Sequence, residues 1–374
     1  MKQKVLFVAH MLRGHVLVFH LPYMKWFQEQ GYEVHLCSCN DTEKPVTEVP
    51  YCDRFFDLPF QRSPFGRQNV QVYREIKKLV DAEDYALIHC HTPVGGMVGR
   101  LAARGARKRG TRVLYTAHGF HFFTGAPLRN WLLFYPAERF LARFTDLLIT
   151  INREDEARAR RFPARRVART NGIGVDLSRF EPPADRAAVR AELGIGPDAP
   201  MVICVGEHSV RKNHETVLRA CAGEKVVQVF FSGVGEREDS LRELAAELGM
   251  AERTHFLGFR PDVPALLQAS DVFLFPSLQE GLPMAQMEAM AAGLPCLVSN
   301  VRGNADLIGP MDGGMLRAPM DAEGFAQDLH FLLEHPEVRR DMGERNRRVI
   351  RDYSLNAVLE QMAALYREEL EAKG

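Results

Sequence analysis

Apolar positions along this chain fall into two rhythms that take turns from the first residues onward. Short unbroken apolar runs, fit for strands covered on both faces, alternate with stretches in which apolar residues recur every three or four positions, as on one face of a helix. Lys4 to Ala9 is the first run, Phe19 to Gln30 a helical stretch closed by Gly31, and Glu33 to Ser38 the second run. Residues 40–66 are irregular and carry Pro45, Pro50, Pro59 and Pro64. Alternation then resumes with a helix over Asn69 to Asp81, a strand over Leu87 to Cys90, a helix over Val94 to Arg109 and a strand over Arg112 to Ala117. A helix end and a strand lie within Phe140 to Ile151, a charged helix covers Glu154 to Arg161, and a short strand covers Val167 to Thr170. Strand followed by helix throughout predicts an α/β fold with parallel sheets.

Asn171-Gly172-Ile173-Gly174, followed by Glu181-Pro182-Pro183, has the composition of a linker, and the pattern restarts behind it. Met201 to Gly206, Val226 to Phe231 and Thr254 to Leu257 read as strands, with a helix over His214 to Ala222. Helices over Ala322 to Glu334, Glu337 to Arg351 and Ser354 to Glu371 end the chain. Between them, Asp271 to Asn300 forms a complete strand-loop-helix-strand unit: a run to Pro276, a loop from Ser277 to Leu282, a helix closing at Gly293 and a run from Pro295 to Ser299. Ligands of such units bind beyond the carboxyl ends of the strands, where that loop lies. Pro283 suits the first helical position, which aims the N–H groups of Met284 and Ala285 at the loop as a small anion site. Glu280 is in the loop, and Glu288, on the helical face of Met284, looks toward the same mouth. A carboxylate between Met287 and Ala289 in a helix packed on both sides needs a partner, which a polyhydroxyl ligand would supply.

At 374 residues and 46% hydrophobic content the chain holds two cores. No apolar run reaches membrane-helix length, and the run at the start reads as a first strand and not as a signal peptide. Seven cysteines without a repeated CxxC spacing read as reduced core residues of a cytoplasmic protein. The formal charge is zero but uneven: residues 1–180 carry 28 Lys plus Arg against 17 Asp plus Glu, the remainder 20 against 31. Two basic clusters, Arg100 to Arg112 and Arg158 to Arg169, are either solvated helix faces or a means of attraction to an anionic membrane surface or acceptor. Phe60, Phe65, Arg62 and Arg67 are placed with that lipid surface. No aromatic platform accompanies the clusters, so no nucleic acid is expected.

Other candidate chemistry collects at strand ends. Gly14 lets the first loop approach a ligand closely. His89 and His91 lie on one side of their strand, either as structural or ligand contacts or as the start of a metal site, and no third ligand is spaced nearby. His118 ends a strand, with His121 just beyond it. Arg211 and Lys212, in a strand-end loop, can grip a phosphate by a planar fork and a compact charge, or form a solvated turn. The Gly233-Val234-Gly235 turn either offers backbone amides to a phosphate or is simply tight.

Glu280 and Glu288, with seven residues between them and Ala289-Met290-Ala291-Ala292-Gly293-Leu294-Pro295 behind, resemble the signature of the retaining glycosyltransferases of family four. The segment Ala117 to Phe140, AHGFHFFTGAPLRNWLLFYPAERF, is similar to the subgroup that builds capsular and exopolysaccharides on lipid carriers. The resemblance implies the GT-B fold: two Rossmann-like α/β/α domains, 1–181 for the acceptor and 182–352 for the donor, facing each other across a cleft, with a helix at 353–374 packing back on the first. It implies a UDP-sugar donor and a polyprenyl-diphosphate-linked glycan acceptor; no DxD-type cluster sits in a strand-end loop, so no metal and no cofactor are expected, and the basic first half is placed on the inner face of the cytoplasmic membrane. The resemblance assigns Glu280 and His118 to the donor sugar, Glu288 to the ribose, and Lys212 to the diphosphate. Gly14, Arg211, Gly233, Gly258, Arg260, Gly281, Leu282, Pro283 and Met284 complete the donor side, and His15, His91 and His121 fall on the acceptor side. Glu207 stands where the family usually has an Arg, which leaves Arg211 as its substitute by proximity. The competing readings are a non-catalytic nucleotide-sugar-binding subunit of an assembly complex, a UDP-sugar epimerase, and an NAD-dependent oxidoreductase, against which the chain lacks a GxGxxG after its first strand.

Overall fold

The computed structural model of the chain describes residues 2–309 and 313–372. Met1, residues 310–312 and residues 373–374, which the ranges 1–181, 182–352 and 353–374 include, lie outside the described residues. The chain divides into two units, Met1–Ile173 with Val358–Gly374, and Gly174–Ala357.

In the first unit, Lys4–Val8 (β1), Glu33–Ser38 (β2), Arg54–Asp57 (β3), Tyr85–His91 (β4), Arg112–Ala117 (β5), Leu147–Thr150 (β6) and Arg166–Arg169 (β7) form one parallel sheet in the order β3-β2-β1-β4-β5-β6-β7. The pleat sorts β1 between two cores. Val5 and Phe7 pack with Tyr23, Phe27 and Tyr366 on one face, while Leu6 and Val8 pack with Val72, Ile76 and Val98 on the other. Burial on both faces is why these strands read as unbroken apolar runs.

In the second unit, Met201–Val205 (β8), Gln228–Ser232 (β9), Thr254–Phe256 (β10), Val272–Phe275 (β11), Cys296–Ser299 (β12) and Gly314–Arg317 (β13) form a parallel sheet in the order β10-β9-β8-β11-β12-β13. The strand order reverses between β8 and β11, so the loops that leave those two strands splay apart and open a crevice at their carboxyl ends. No helix among the described residues is long and apolar enough to cross a membrane.

Three local departures from the sequence reading have physical causes. Strand β3 lies inside the stretch read as irregular, because Arg-Phe-Phe-Asp at a sheet edge carries neither alternation nor a long apolar run. Residues Leu12–Val16, read as a loop, form a π-helical turn whose first amides, on Leu12 and Arg13, donate to Asp41 Oδ1 at 2.8 and 2.7 Å. The units divide at Gly174, ahead of Pro182. There the amide of Val175 donates to the Tyr353 carbonyl and that of Leu355 to the Val175 carbonyl, both at 2.9 Å, which ties 174–180 to the second unit.

Candidate functional site

The crevice of the second unit is built by two loops that hold each other. Asn213, in the left-handed conformation (φ 55°, ψ 43°), ends the loop after β8 and donates from Nδ2 to the carbonyls of Pro276 (3.0 Å) and Pro319 (2.8 Å). The amide of Leu278 and the hydroxyl of Ser277 both donate to the Arg211 carbonyl, at 2.8 and 3.1 Å. These bonds bring the Arg211/Lys212 pair against Glu280, which is 7% exposed. Glu280 Oε1 accepts from Lys212 Nζ at 2.7 Å, Arg211 Nη1 at 3.1 Å and Ser277 Oγ at 2.6 Å. Lys212 also stands 4.6 Å from the centre of the Phe275 ring, so a ring face and a carboxylate fix its ammonium while Arg211 remains half exposed. Arg302, buried just past β12, donates from Nε to the Glu280 carbonyl at 3.0 Å. Two cations set on one acid, at the carboxyl ends of β8 and β11, form a polar site that can exchange part of its internal pairing for an anionic ligand.

Beside this loop the helix Met284–Ala292 begins. Pro283 is its cap (φ −78°, ψ 122°) and not its first helical residue, and no side chain caps the helix. The opening amides are therefore those of Met284 onward, which keeps Met284 and Ala285, the pair expected from the proline, at the start of the helix. Glu288 does have a protein partner: Arg179 Nη1 reaches its Oε1 at 2.8 Å. Burial pushes the Glu288 carboxyl up and Arg179 opposes the shift. No sequence signal points to this pair, since Arg179 comes from the short 3-10 turn Leu177–Phe180.

The other donor-side residues separate into two groups. Gly281 and Leu282 are in the Glu280 loop. Gly233 (φ 150°) is a close-packing residue: a Cβ there would lie 2.0 Å from the Gly206 carbonyl oxygen, and its own amide donates to the Gly258 carbonyl at 2.8 Å. That amide is spent inside the protein, and the close approach to Gly206 requires a residue without a Cβ here. Arg260 is engaged through its side chain by Asp262 Oδ1 (2.7 Å) and Glu192 Oε1 (3.0 Å). Glu207 is exposed and makes no ion pair among the described residues, so Arg211 is the guanidinium on Glu280.

In the first unit four imidazoles, His15, His20, His91 and His118, converge, with the ring centre of His89 3.9 Å from that of His91. The strands β4 and β5 deliver His91 and His118, and the turn after β1 delivers His15 and His20. His20 stacks on His91 with ring centres 3.8 Å apart, and His15 meets His118 edge-on at 4.8 Å. His15 Nδ1 and His20 Nε2 share a hydrogen bond of 2.7 Å. His20 Nδ1, both nitrogens of His91, and His118 Nε2 are buried without a hydrogen-bond partner. Burial holds all four neutral: His15 is pushed down to about 2 and His118 to about 4, with His20 and His91 well below the ordinary imidazole value. Thr92, next to His91, holds a positive φ of 62° with ψ 151°, a conformation a β-branched residue adopts only under constraint. Its hydroxyl accepts from the amides of His10 and Gly95.

One nitrogen each from His15, His20 and His118 lies within 4.8 Å of the others, the one group of that kind among the described residues, and these three could receive a metal ion. The pair considered from sequence, His89 with His91, does not form such a group. Both His89 nitrogens are taken, by Tyr366 Oη and Thr116 Oγ1 at 2.8 Å each, which makes His89 the residue that locks the terminal helix to β4. His121 lies outside the cluster, exposed, with its ring 4.7 Å from that of Phe134. Gly14 is exposed in the turn that carries His15.

Residues 185–349 match the family model described as Glycosyl transferases group 1, and residues 4–152 that described as Glycosyl transferase 4-like. The chain is 40% identical to a putative glycosyltransferase, EpsD, of Bacillus subtilis (strain 168), over 98% of this chain and 97% of that protein. It is 31% identical to the Escherichia coli UDP-Gal:alpha-D-GlcNAc-diphosphoundecaprenol alpha-1,3-galactosyltransferase, over 70% of this chain and 71% of that one. Among solved structures, Anabaena Alr3699/HepE in complex with UDP-glucose superposes with a TM-score of 0.80 at 19% identity, over 98% of this chain and 99% of that one, a likeness of fold.

Proposed function

Because the chain belongs to the family-four glycosyltransferases, with the GT-B fold, we propose that it moves a hexose or N-acetylhexosamine from a UDP-sugar to a lipid-linked glycan, with retention, in the building of a surface polysaccharide. The observation that carries this reading is the Lys212–Glu280–Arg211 cluster at the strand-order reversal of the second sheet, beside an uncapped helix N-terminus. An ammonium, a guanidinium and backbone amides together neutralise a departing diphosphate, and such preorganised charge can replace a metal. The names of two relatives agree: one uses UDP-Gal and a diphosphoundecaprenol-linked acceptor, and the other is a putative glycosyltransferase.

In the proposed reaction the bond between the anomeric carbon and the diphosphate oxygen breaks, and its electron pair leaves with UDP. The acceptor hydroxyl forms the new bond on the same face, and its proton passes to the departing phosphate oxygen. Lys212 and Arg211 meet the charge that develops there. Glu280, already desolvated and aimed by Ser277, binds hydroxyls of the sugar. Glu288 binds the ribose, and its pairing with Arg179 keeps a buried carboxylate in place between turnovers. His118 presents Nε2 to the sugar as a neutral group. The enzyme works on the inner face of the cytoplasmic membrane, where the lipid-linked acceptor lies.

The test is thermal shift with UDP-Glc, UDP-GlcNAc, UDP-Gal and UDP-GalNAc, followed by UDP release with a lipid-diphosphate-linked acceptor. Lys212→Ala should lower the rate about 10²–10³-fold with an unchanged circular dichroism spectrum. UDP-sugar binding without turnover would move the protein to the non-catalytic reading, and full activity of Lys212→Ala would remove the ammonium from the mechanism.

A further inference from the structure

Helix Leu128–Leu141 of the first unit is apolar on both sides, and only one side is covered. Its inner face carries Trp131, Phe134 and Tyr135, which pack on the core, and Glu138, which clasps the fully buried Arg100 through both carboxylate oxygens at 3.0 and 3.1 Å. At 100° per residue the opposite face carries Leu128, Leu132, Leu133, Pro136 and Phe140 in one stripe. The four large residues among them are 73%, 68%, 54% and 47% exposed in that order. Arg129 and Arg139 fall on the same arc, so the outer face sets two cations among its large apolar residues and leaves a row of leucines in water.

Cations without an ion pair lie within and beside the stripe. Arg104, Lys108, Arg129, Arg139 and Arg143 are exposed and make no ion pair among the described residues. In the cluster at 158–169, Arg158, Arg160, Arg165, Arg166 and Arg169 are each paired with acids of the same unit, and Arg161 is the exposed exception. In the 100–112 cluster Arg100, Arg107 and Arg109 are likewise paired, with Glu138, Asp146 and Asp81, so the exposed cations there without an ion pair among the described residues are Arg104 and Lys108. Phe140 meets Phe144 edge-on at 5.4 Å, and Phe144 lines a cavity of about 410 Å³ together with Arg104, Lys108 and Arg143. Tyr73 and Leu101 also line a second cavity, bordered by Phe65, which is 81% exposed, and by Val70. Phe60, grouped with Phe65 from sequence, is a core residue at 8% exposure and takes no part.

We propose that this face, with Leu128, Leu132, Leu133 and Phe140 at its centre and Arg104, Lys108 and Arg143 around the adjoining cavity, docks the protein on an anionic lipid bilayer. The leucine stripe enters the boundary between headgroups and acyl chains, and the cavity receives a lipid phosphate. An interfacial helix uses this combination: an apolar stripe for depth and flanking arginines for headgroups. The inference rests on the reading above in one respect, that the acceptor is lipid-linked. A second copy of this chain is the other candidate occupant, but facing arginines across such a contact would repel each other, whereas anionic headgroups neutralise them.

The experiment is cosedimentation of the full chain with phosphatidylcholine vesicles with and without phosphatidylglycerol, at low and high salt, beside analytical ultracentrifugation without lipid. Wild type should bind the phosphatidylglycerol vesicles at low salt. L132S/L133S, which adds no charge, should bind about tenfold more weakly or worse, and R104E/K108E/R143E should fall to the level seen on phosphatidylcholine alone. Thermal stabilisation by UDP, read on the same samples, should be equal in wild type and both variants, which certifies the fold. Wild-type indifference to anionic vesicles, or undiminished binding of L132S/L133S, overturns the proposal. So does a wild-type dimer that L132S/L133S dissolves into monomers, which would give the face to self-association. If UDP fails to stabilise the wild type while vesicles bind, the donor-site reading falls and the docking face stands.

Discussion

Replacing Glu280 by glutamine separates catalysis from binding in opposite directions. Glu280 Oε1 accepts from Lys212, Arg211 and Ser277 within 3.1 Å. The substituted amide would keep the shape and one acceptor oxygen but remove the charge. Two charge-assisted bonds become ordinary ones, a loss of about 1 kcal/mol each before screening. Arg211 is half exposed, so its share is discounted, and the total comes to about 1–2 kcal/mol, or a Tm fall of about 3–6 °C for a unit of this size. A diphosphate oxygen seated on the Lys212 ammonium would lie about 5 Å from the Glu280 carboxylate. Their repulsion is about 3 kcal/mol at an effective dielectric of ~20, and water at the site reduces it to about half, which is about tenfold in affinity. E280Q should therefore bind UDP about tenfold more tightly than wild type, while its transfer rate falls about 10²–10³-fold because the charged contact to the sugar is lost. The assay is calorimetric titration with UDP beside initial rates at saturating UDP-sugar. Weaker UDP binding together with a rate within threefold of wild type would refute both the carboxylate's role and its placement beside the diphosphate.

The buried imidazoles set the acid limit. His15, His89, His118 and His214 are pushed down to about 2, 3, 4 and 3, by burial first, so the unfolded chain, with imidazole pKa values of about 6.5, takes up protons before the folded one. Their contribution is complete above pH ~6.5 and falls as the pH drops from there toward the folded values, at about 1.4 kcal/mol per pH unit for each histidine; urea melts between pH 6.5 and 5 should show this slope, and a flat profile would contradict the burial. Chelation with EDTA should leave transfer unchanged, since the proposed charge stabilisation is carried by Lys212, Arg211 and amides, while added Zn²⁺ should inhibit through His15, His20 and His118; loss of activity on chelation, restored by metal, would reverse the assignment. Gly233→Ala should destabilise by about 2–3 kcal/mol, because its Cβ would meet the Gly206 carbonyl oxygen at 2.0 Å on a strained φ, and a Tm within 1 °C of wild type, against an expected fall of about 4–10 °C, would show that the two loops separate easily.

What the chain states locally, it states well. Unbroken apolar runs marked the strands, with ends within a residue or two, because residues buried on both faces of a parallel sheet have no reason to alternate. The spacing of Glu280 and Glu288 around Pro283, and Gly293 in its left-handed conformation at the helix end, marked the strand-loop-helix unit and its mouth, since caps and turns are set by neighbouring residues. Strand β3 was lost because an edge strand needs only one covered face and four residues supply no period. Which loops meet was not legible. Lys212 reaches Glu280 and Arg302 supports the Glu280 carbonyl only because strand order places β8, β11 and β12 side by side, and strand order depends on packing among distant segments; Arg179 reaches Glu288 from a turn ahead of that sheet, 109 residues away in sequence. The same holds for the histidines: sequence placed His91 and His118 at strand ends, but only the order β1-β4-β5 brings them to His15 and His20, while Tyr366 from the far end of the chain and Thr116 occupy both nitrogens of His89, whose ring centre stays 3.9 Å from that of His91. Composition likewise recorded an excess of basic charge in the first 180 residues, and the folded chain alone decided which arginines were paired and which were left beside exposed leucines. Periodicity reports how deeply a residue is buried. Its partners are chosen by the sheet.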